Sequence, residues 1–470
     1  MAESKKLKLT FCGGTGSVTG ANFLLEDEGN APFKALVDCG MFQGTKAEEK
    51  MNWEKFPYDP KDIDTVFITH AHLDHIGRLP LLVKNGFKGK IYSTPPTKEI
   101  AQIALLDALG VMGLENHHKG DKKGQEDEKE PEALYTNEDV AKTMSLWETV
   151  GYHTPMKEGD FDVVFRDSGH ILGSAMVEFT YGGKKILFTG DLGNSPAPLL
   201  KDTEKVTDAD YLIMESVYGD RNHEDRAQRR DKLEDVIEET IRKGGCLLIP
   251  AFSIERTQEL LFEIENMMEH SRIPLVPVFL DSPMAIKVTE IYKKYETDYL
   301  NKETNAIIKS GDGIFKFANF HETLSTEDSK AIDESNPKKI IIAGSGMSNG
   351  GRIIHHELKY LPDPKTTLLL AGYQAVGSLG RIIQDGAKSV RILGTEVPVN
   401  AKVLAISGYS AHKDSDALFE FVRETADSLK KVYAVMGEPK SSLFLVQRLR
   451  DYLGLDAEAP ELNQSVEIEL

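Results

Sequence analysis

In the stretch VFITHAHLDH, a short apolar run from Val66 to Ile68 ends in four potential metal ligands packed into six positions: His70, His72, Asp74 and His75. A run of that length reads as a buried strand, and ligands crowded just beyond it need a loop that aims several side chains at one point. The fold must therefore contain a strand whose end opens onto a polar site. Imidazole and carboxylate at this density suit a borderline cation such as Zn2+.

The surrounding sequence supplies more strands. KLKLTFCG, NFLLEDE, FKALVDCG and DTVFITH are separated by Gly, Asn or Asp turns and predict a β-meander. The glycine-rich GGTGSVTG, Gly13 to Gly20, leads into another strand-like run, so it reads as a turn beside the site and not as a phosphate loop before a helix. IGRLPLLVKNG and PTKEIAQIALLDALGVMG have helical spacing of apolar residues. Residues 116–132 are almost wholly polar and predict a loop between helices, with His117 and His118 outside the ligand set.

Strands return in FDVVFRDSGHILGSAMVEFTYGGKKILFTGDLG, which carries a hairpin turn at Gly182 and Gly183, and in ADYLIMESVYG. From about residue 225 helix and strand alternate, a βαβ rhythm that predicts a mostly parallel sheet, and after about residue 390 the pattern of the N-terminal half resumes. The expected fold class is α/β, with a first domain over 1–215, an inserted α/β domain over 216–393, and the first domain completed by 394–470.

A chain of 470 residues has room for two or three domains. No apolar run approaches the roughly 20 residues of a membrane span. The opening MAESKKLKLTFCGG also lacks a signal peptide's apolar segment, so the expectation is a cytoplasmic protein with no membrane partner. Cys12, Cys39 and Cys246 form no CxxC pair and read as small buried apolar residues. A net charge of −19 argues against generic nucleic-acid binding and requires any polyanion to meet a local basic strip.

HxHxDH followed by single later ligands, here His170 in SGHILGSA and Asp191 in FTGDLG, resembles the metallo-β-lactamase fold. The inserted domain resembles that of the β-CASP branch, the nucleases similar to the cleavage and polyadenylation endonuclease and its bacterial and archaeal relatives. So do MESVYGDR with Glu215, IPAFSIERTQELL, LDSPMA with Asp281, AGSGMSNGGR and GYSAHKD with His412. The resemblance implies an αββα sandwich carrying a β-CASP insertion and two Zn2+ ions. It assigns His70, His72 and His170 to the first ion, Asp74 and His75 to the second, and Asp191 as a bridge. Where the family has the histidine of a VHGE motif, this chain has Met436 in AVMGEP. A thioether is a poor Zn2+ ligand, so the second site is expected to be the weaker.

The resemblance also implies a ribonuclease that cleaves single-stranded RNA, as an endonuclease, through a hydroxide held between the cations. His412 would be the general acid, Glu215 would orient it, and Asp74 would complete the catalytic group. The products would carry a 5′-phosphate and a 3′-hydroxyl. Ser345, Gly346, Arg352 and Arg256 would contact the RNA backbone in a cleft between the domains. The expected partner is single-stranded RNA, and the chain a monomer or homodimer. A DNA-directed β-CASP nuclease, a small ester or thioester hydrolase and a metal-poor RNA-binding scaffold stand as alternatives. GYSAHKD and LDSPMA look more like the RNA-directed branch.

Overall fold

The computed structural model describes residues 7–27, 29, 32–120, 133–223, 227–311, 313–375 and 377–469. The chain divides into two compact units. One comprises Met1–Ser195, Asp202–Asn222 and His412–Leu470, the other Pro196–Lys201 and His223–Ala411.

The first unit is built on two seven-stranded sheets. In the first, the order from one edge is Ser465–Ile468, Leu7–Phe11, Phe23–Asp27, Phe33–Val37, Thr65–Phe67, Lys90–Ser93 and Trp147–Thr149. In the second it is Ala457–Glu458, Lys431–Val435, Tyr211–Glu215, Lys184–Phe188, Ala175–Tyr181, Phe161–Asp167 and Met156–Glu158. Alternate residues point to opposite faces of a strand. Thus Leu7, Leu9 and Phe11 from one sheet meet Phe161, Val163, Phe165 and Phe179 from the other in a single apolar core. The outer face of the second sheet is covered by the helices Ser415–Thr425 and Pro439–Leu453 through Leu418, Val422, Leu445 and Leu449. Between the parallel strands of the first sheet run the helices Leu79–Lys84, Pro95–Gly120 and Asn137–Ser145, which gives the αββα layering that the resemblance implies.

The hairpin at Gly182–Gly183 forms as expected. Both residues have positive φ, 57° and 80°, the combination that a two-residue turn needs to match strand twist. The meander holds for three strands only. Thr65–Phe67 pairs parallel to Phe33–Val37, because the chain between them crosses over instead of turning back. The helix from Pro95 runs to Gly120, into the stretch expected to be a loop. The side chains of His117 and His118, and residues 121–132, lie outside the described residues.

The second unit holds a six-stranded, wholly parallel sheet in the order Phe320–Glu322, Val278–Asp281, Lys339–Ala343, Cys246–Pro250, Thr367–Leu370 and Lys402–Ala405. Its last strand lies past the expected boundary at 394. Lys402–Ala405 pairs with Thr367–Leu370, so the chain re-enters the first unit at His412. A four-residue apolar run does not reveal which sheet it will join. The three cysteines are free and buried. Among the described residues no helix is long and apolar enough to cross a membrane.

Candidate metal centre

The site lies at the ends of strands in the first unit. Val66, Phe67 and Ile68 are fully buried and anchor the strand Thr65–Phe67, after which the chain turns into the short helix Leu73–Ile76 with His72 as its N-cap residue. The turn is held from the neighbouring strand. Asp38, directly after Phe33–Val37, accepts hydrogen bonds from Thr69 N at 2.8 Å and Thr69 Oγ1 at 2.8 Å, and lies 2.7 Å from His75 Nδ1. A carboxylate on Nδ1 fixes the tautomer and leaves Nε2 as a lone-pair donor. His170 is held by Ser174, whose Oγ accepts from the backbone N–H of His170 at 3.0 Å and of Ile171 at 3.2 Å.

Four ligand atoms converge. His70 Nε2 and His72 Nδ1 are 3.0 Å apart, and His72 Nδ1 and His170 Nε2 are 3.3 Å apart. Asp191 Oδ2 lies 3.4 Å from His70 Nε2 and 3.5 Å from His170 Nε2. Zinc–nitrogen bonds of about 2.0–2.1 Å in a tetrahedron place neighbouring ligand atoms about 3.3 Å apart, so this donor set fits a tetrahedral Zn2+ without rearrangement.

A second group shares Asp191. Its other oxygen, Oδ1, is 3.5 Å from His75 Nε2, which in turn is 3.8 Å from Asp74 Oδ2. Both His75 Nε2 and Asp191 Oδ1 are buried and have no hydrogen-bond partner among the described residues. Orphaned buried polar atoms are costly, and a cation between them removes that cost. Asp191 thus turns one oxygen to each group.

Electrostatics agree with this division. Burial, followed by the neighbouring imidazoles, holds His72 and His170 well below the usual histidine range, so both stay neutral and able to ligate. Burial opposes charge on His75 as well, but Asp191, Asp38 and Asp74 outweigh it and favour a positive charge at that position. Burial would raise Asp191, yet His75, His70 and His412 hold it well below the ordinary carboxylate range, so it is ionised.

Glu215, at the end of the strand Tyr211–Glu215, is fully buried; its Oε1 accepts from Leu192 N at 2.6 Å. His412 lies beside it, with Nδ1 3.2 Å from Glu215 Oε2 and 3.9 Å from Asp191 Oδ2. The next residue, Lys413, fixes the segment by donating from N to Leu192 O and from Nζ to Gly193 O.

Met436 follows the strand Lys431–Val435 and is buried in the apolar core with Phe23, Phe188 and Val435. It shares a small cavity with Asp38, Thr69 and His75. Its sulfur, however, lies against Gly14, where an added Cβ would sit 2.6 Å from Sδ, and its N–H donates to Gly14 O. The thioether therefore packs as an apolar group.

The residues expected to grip phosphate belong to the second unit, and two of them are already engaged. Arg256 is buried, paired with Glu259 and set against the ring of Tyr409. Arg352 donates to Asp281 Oδ1 at 2.7 Å, Thr323 O at 2.8 Å and Leu324 O at 2.7 Å. Both guanidinium groups thus have partners within the second unit. Ser345 and Gly346 sit in the loop after Lys339–Ala343, where Ser345 Oγ accepts from Asn349 N and Gly346 O accepts from Gln374 Nε2. Sequence reasoning missed Asp38, Thr69 and Ser174. Asp38 shared with Asp191 one visible signal, a carboxylate within three residues of the end of an apolar strand.

Sequence models of three families match the chain: the metallo-beta-lactamase superfamily over residues 23–239, the Beta-Casp domain over 257–383, and the Zn-dependent metallo-hydrolase RNA specificity domain over 396–460. The chain is 36% identical over 433 residues to Ribonuclease TTHA0252 of Thermus thermophilus, covering 92% of this chain and 94% of that one. It is 32% identical over 475 residues to transcription termination factor FttA of Methanosarcina mazei, covering 97% and 71%. It is also 32% identical over 416 residues to an RNase J-like protein of Methanocaldococcus jannaschii, covering 87% and 88%. A crystal structure of a protein of unknown function from Enterococcus faecalis V583 shares the fold, with a TM-score of 0.57 and 13% identity over 98% of this chain and 100% of that one.

Proposed function

The chain belongs to the β-CASP branch of the metallo-β-lactamase superfamily and is a metal-dependent hydrolase, and on that premise we propose that it is a zinc-dependent endoribonuclease acting on single-stranded RNA. The observation that carries this reading is the placement of Asp191, with one carboxylate oxygen toward His70 and His170 and the other toward His75. Such sharing of one carboxylate suits two cations on one phosphodiester. Ribonuclease TTHA0252 and the RNA specificity domain supply the substrate class.

His70, His72, His170 and Asp191 would hold the first Zn2+, and Asp74, His75 and Asp191 the second. When bound, the cations supply Lewis acidity that lowers the pKa of water and offsets charge on the phosphate. The chain's own residues do the rest. Asp38 orients His75, and Ser174 orients His170. Glu215 accepts from His412 Nδ1–H and favours the doubly protonated imidazolium, so the other ring nitrogen also carries a proton, the one that the leaving 3′ oxygen needs. Glu215 acts through His412 as a positioning residue.

The two sites are unequal. The first has four protein ligands, whereas the second has three, since the Met436 sulfur faces Gly14. These three residues would therefore hold a second cation more weakly than the four of the first site, leaving a position for water or substrate oxygen.

The test is to incubate single-stranded RNA and DNA of equal sequence with the zinc-loaded chain. Internal cleavage of RNA with 5′-phosphate and 3′-hydroxyl products is expected. Cleavage of DNA alone would move the assignment to the DNA-directed branch, and cleavage of neither contradicts it.

A further inference from the structure

We propose that Phe252 is a stacking platform for an unpaired nucleobase, mounted on a rigid, small-residue rim at the carboxyl edge of the second unit's parallel sheet. The identity of the ligand as nucleic acid rests on the proposed ribonuclease activity.

Strands Cys246–Pro250, Lys339–Ala343 and Val278–Asp281 end side by side, with Ala343 in register with both Pro250 and Asp281. Ligands of open α/β sheets bind beyond such carboxyl ends. The loops leaving these three strands converge: Ser253 Oγ lies 3.2 Å from Ser282 Oγ, and a Cβ on Gly344 would stand 3.5 Å from each hydroxyl.

Phe252 is a large apolar side chain on this edge, and it is 42% exposed while its neighbours Ala251 and Ile254 are buried. Full burial of a phenylalanine is worth about 1.5–3 kcal/mol, and the fold forgoes much of that here. The ring is nevertheless fixed. An added Cβ on Gly346 would meet Phe252 Cδ2 at 2.7 Å, so glycine is what lets the loop seat against the ring. The backbone beneath is tied as well, since Phe252 O accepts from Thr257 Oγ1 at 2.8 Å and from Thr257 N at 3.3 Å.

The exposed ring follows Ala251, precedes Ser253 and abuts the loop of Gly344, Ser345 and Gly346, which sets an aromatic side chain among hydroxyl-bearing neighbours in the chain. A nucleobase with its ribose matches that pattern, because stacking satisfies the face and the hydroxyls meet sugar or phosphate oxygens. A protein partner would need a wider apolar patch than one ring provides. Stacking tolerates any base, so the platform adds affinity for unpaired RNA without sequence preference.

The experiment uses the full chain in a His412→Ala background that slows turnover, zinc-loaded, with a 12-nucleotide single-stranded RNA and the same backbone carrying abasic sites. Affinities come from fluorescence anisotropy, and thermal melting checks the fold of each variant. Phe252→Leu is expected to weaken binding of the base-bearing oligomer by about 5- to 150-fold, to leave the abasic oligomer unaffected, and to melt with the parent; Phe252→Trp is expected to retain binding. Equal affinities of parent and Phe252→Leu for the base-bearing oligomer, or equal losses on both oligomers, overturn the platform while leaving the ribonuclease reading intact. A parent that binds neither oligomer contradicts both.

Discussion

His412 and Glu215 face each other at 3.2 Å, Nδ1 to Oε2, with the carboxylate fully buried and the imidazole side chain 24% exposed. Burial disfavours charge on both, but each favours the charged form of the other, and the balance pushes His412 up to about 9. A general acid must be protonated to work, so cleavage should fall as pH rises toward and through that value, and bound cations near Asp191 will draw the limb lower. Glu215→Gln keeps an oxygen for Leu192 N but removes the nearest negative charge. Its pH–rate profile should lose activity at lower pH than wild type, and an unshifted alkaline limb would remove Glu215 from the positioning role.

Metal titration should show two unequal steps. In the Met436→His variant an imidazole replaces a thioether beside the cavity lined by His75 and Asp38, and the weaker step should tighten toward the first. Equilibrium dialysis with elemental analysis reads both steps. Two equal affinities in wild type, or no change in the variant, would contradict the three-ligand account of the second site.

Asp38→Asn tests how far the second site depends on its outer carboxylate. Loss of the charge on His75 Nδ1 should weaken the second cation by about 10- to 100-fold, as outer-sphere carboxylates do elsewhere. The first site should change less, because Asp38 reaches it only through Thr69. A uniform loss at both sites would instead mean that the whole turn had shifted.

Arg352→Ala separates a structural role from a phosphate contact. Asp281 is fully buried; burial would raise it, but hydrogen bonds from His356, Ser329, Thr323 and Arg352 outweigh burial and hold it far below the ordinary carboxylate range. A carboxyl depressed in the folded state stabilises the protein above its unfolded pKa of about 4, and that stability is lost as pH falls. Removing Arg352 should cost about 1.5–3 kcal/mol near neutral pH and bring acid unfolding to higher pH. Calorimetry reads the first and a pH-jump melt the second. Unchanged stability with weakened RNA binding would return Arg352 to the substrate.

The ligands of the HxHxDH run were legible because they are contiguous and follow one strand, and His170, Asp191, Glu215 and His412 because each closes a recognisable strand-end motif. Asp38 was not legible: its role exists only because Phe33–Val37 pairs parallel to Thr65–Phe67, which brings the two strand ends together. For the two arginines, a motif gives a guanidinium's position but not always its partner. Glu259, one helical turn from Arg256, is legible from its spacing, whereas Asp281, which accepts from Arg352, comes from a separate strand and is set by tertiary packing. The strand Lys402–Ala405, past the expected boundary at 394, is too short to declare which sheet it joins.

The most direct test of the account replaces the scissile 3′-bridging oxygen of a single-stranded RNA by sulfur, a leaving group that departs without a proton. Rates of zinc-loaded wild type and His412→Ala are then compared on both substrates. The account predicts a loss of about 100-fold or more for His412→Ala on native RNA, and near-equal rates for the two proteins on the sulfur substrate. Equal rates on native RNA, or an equally large loss on both substrates, would contradict it.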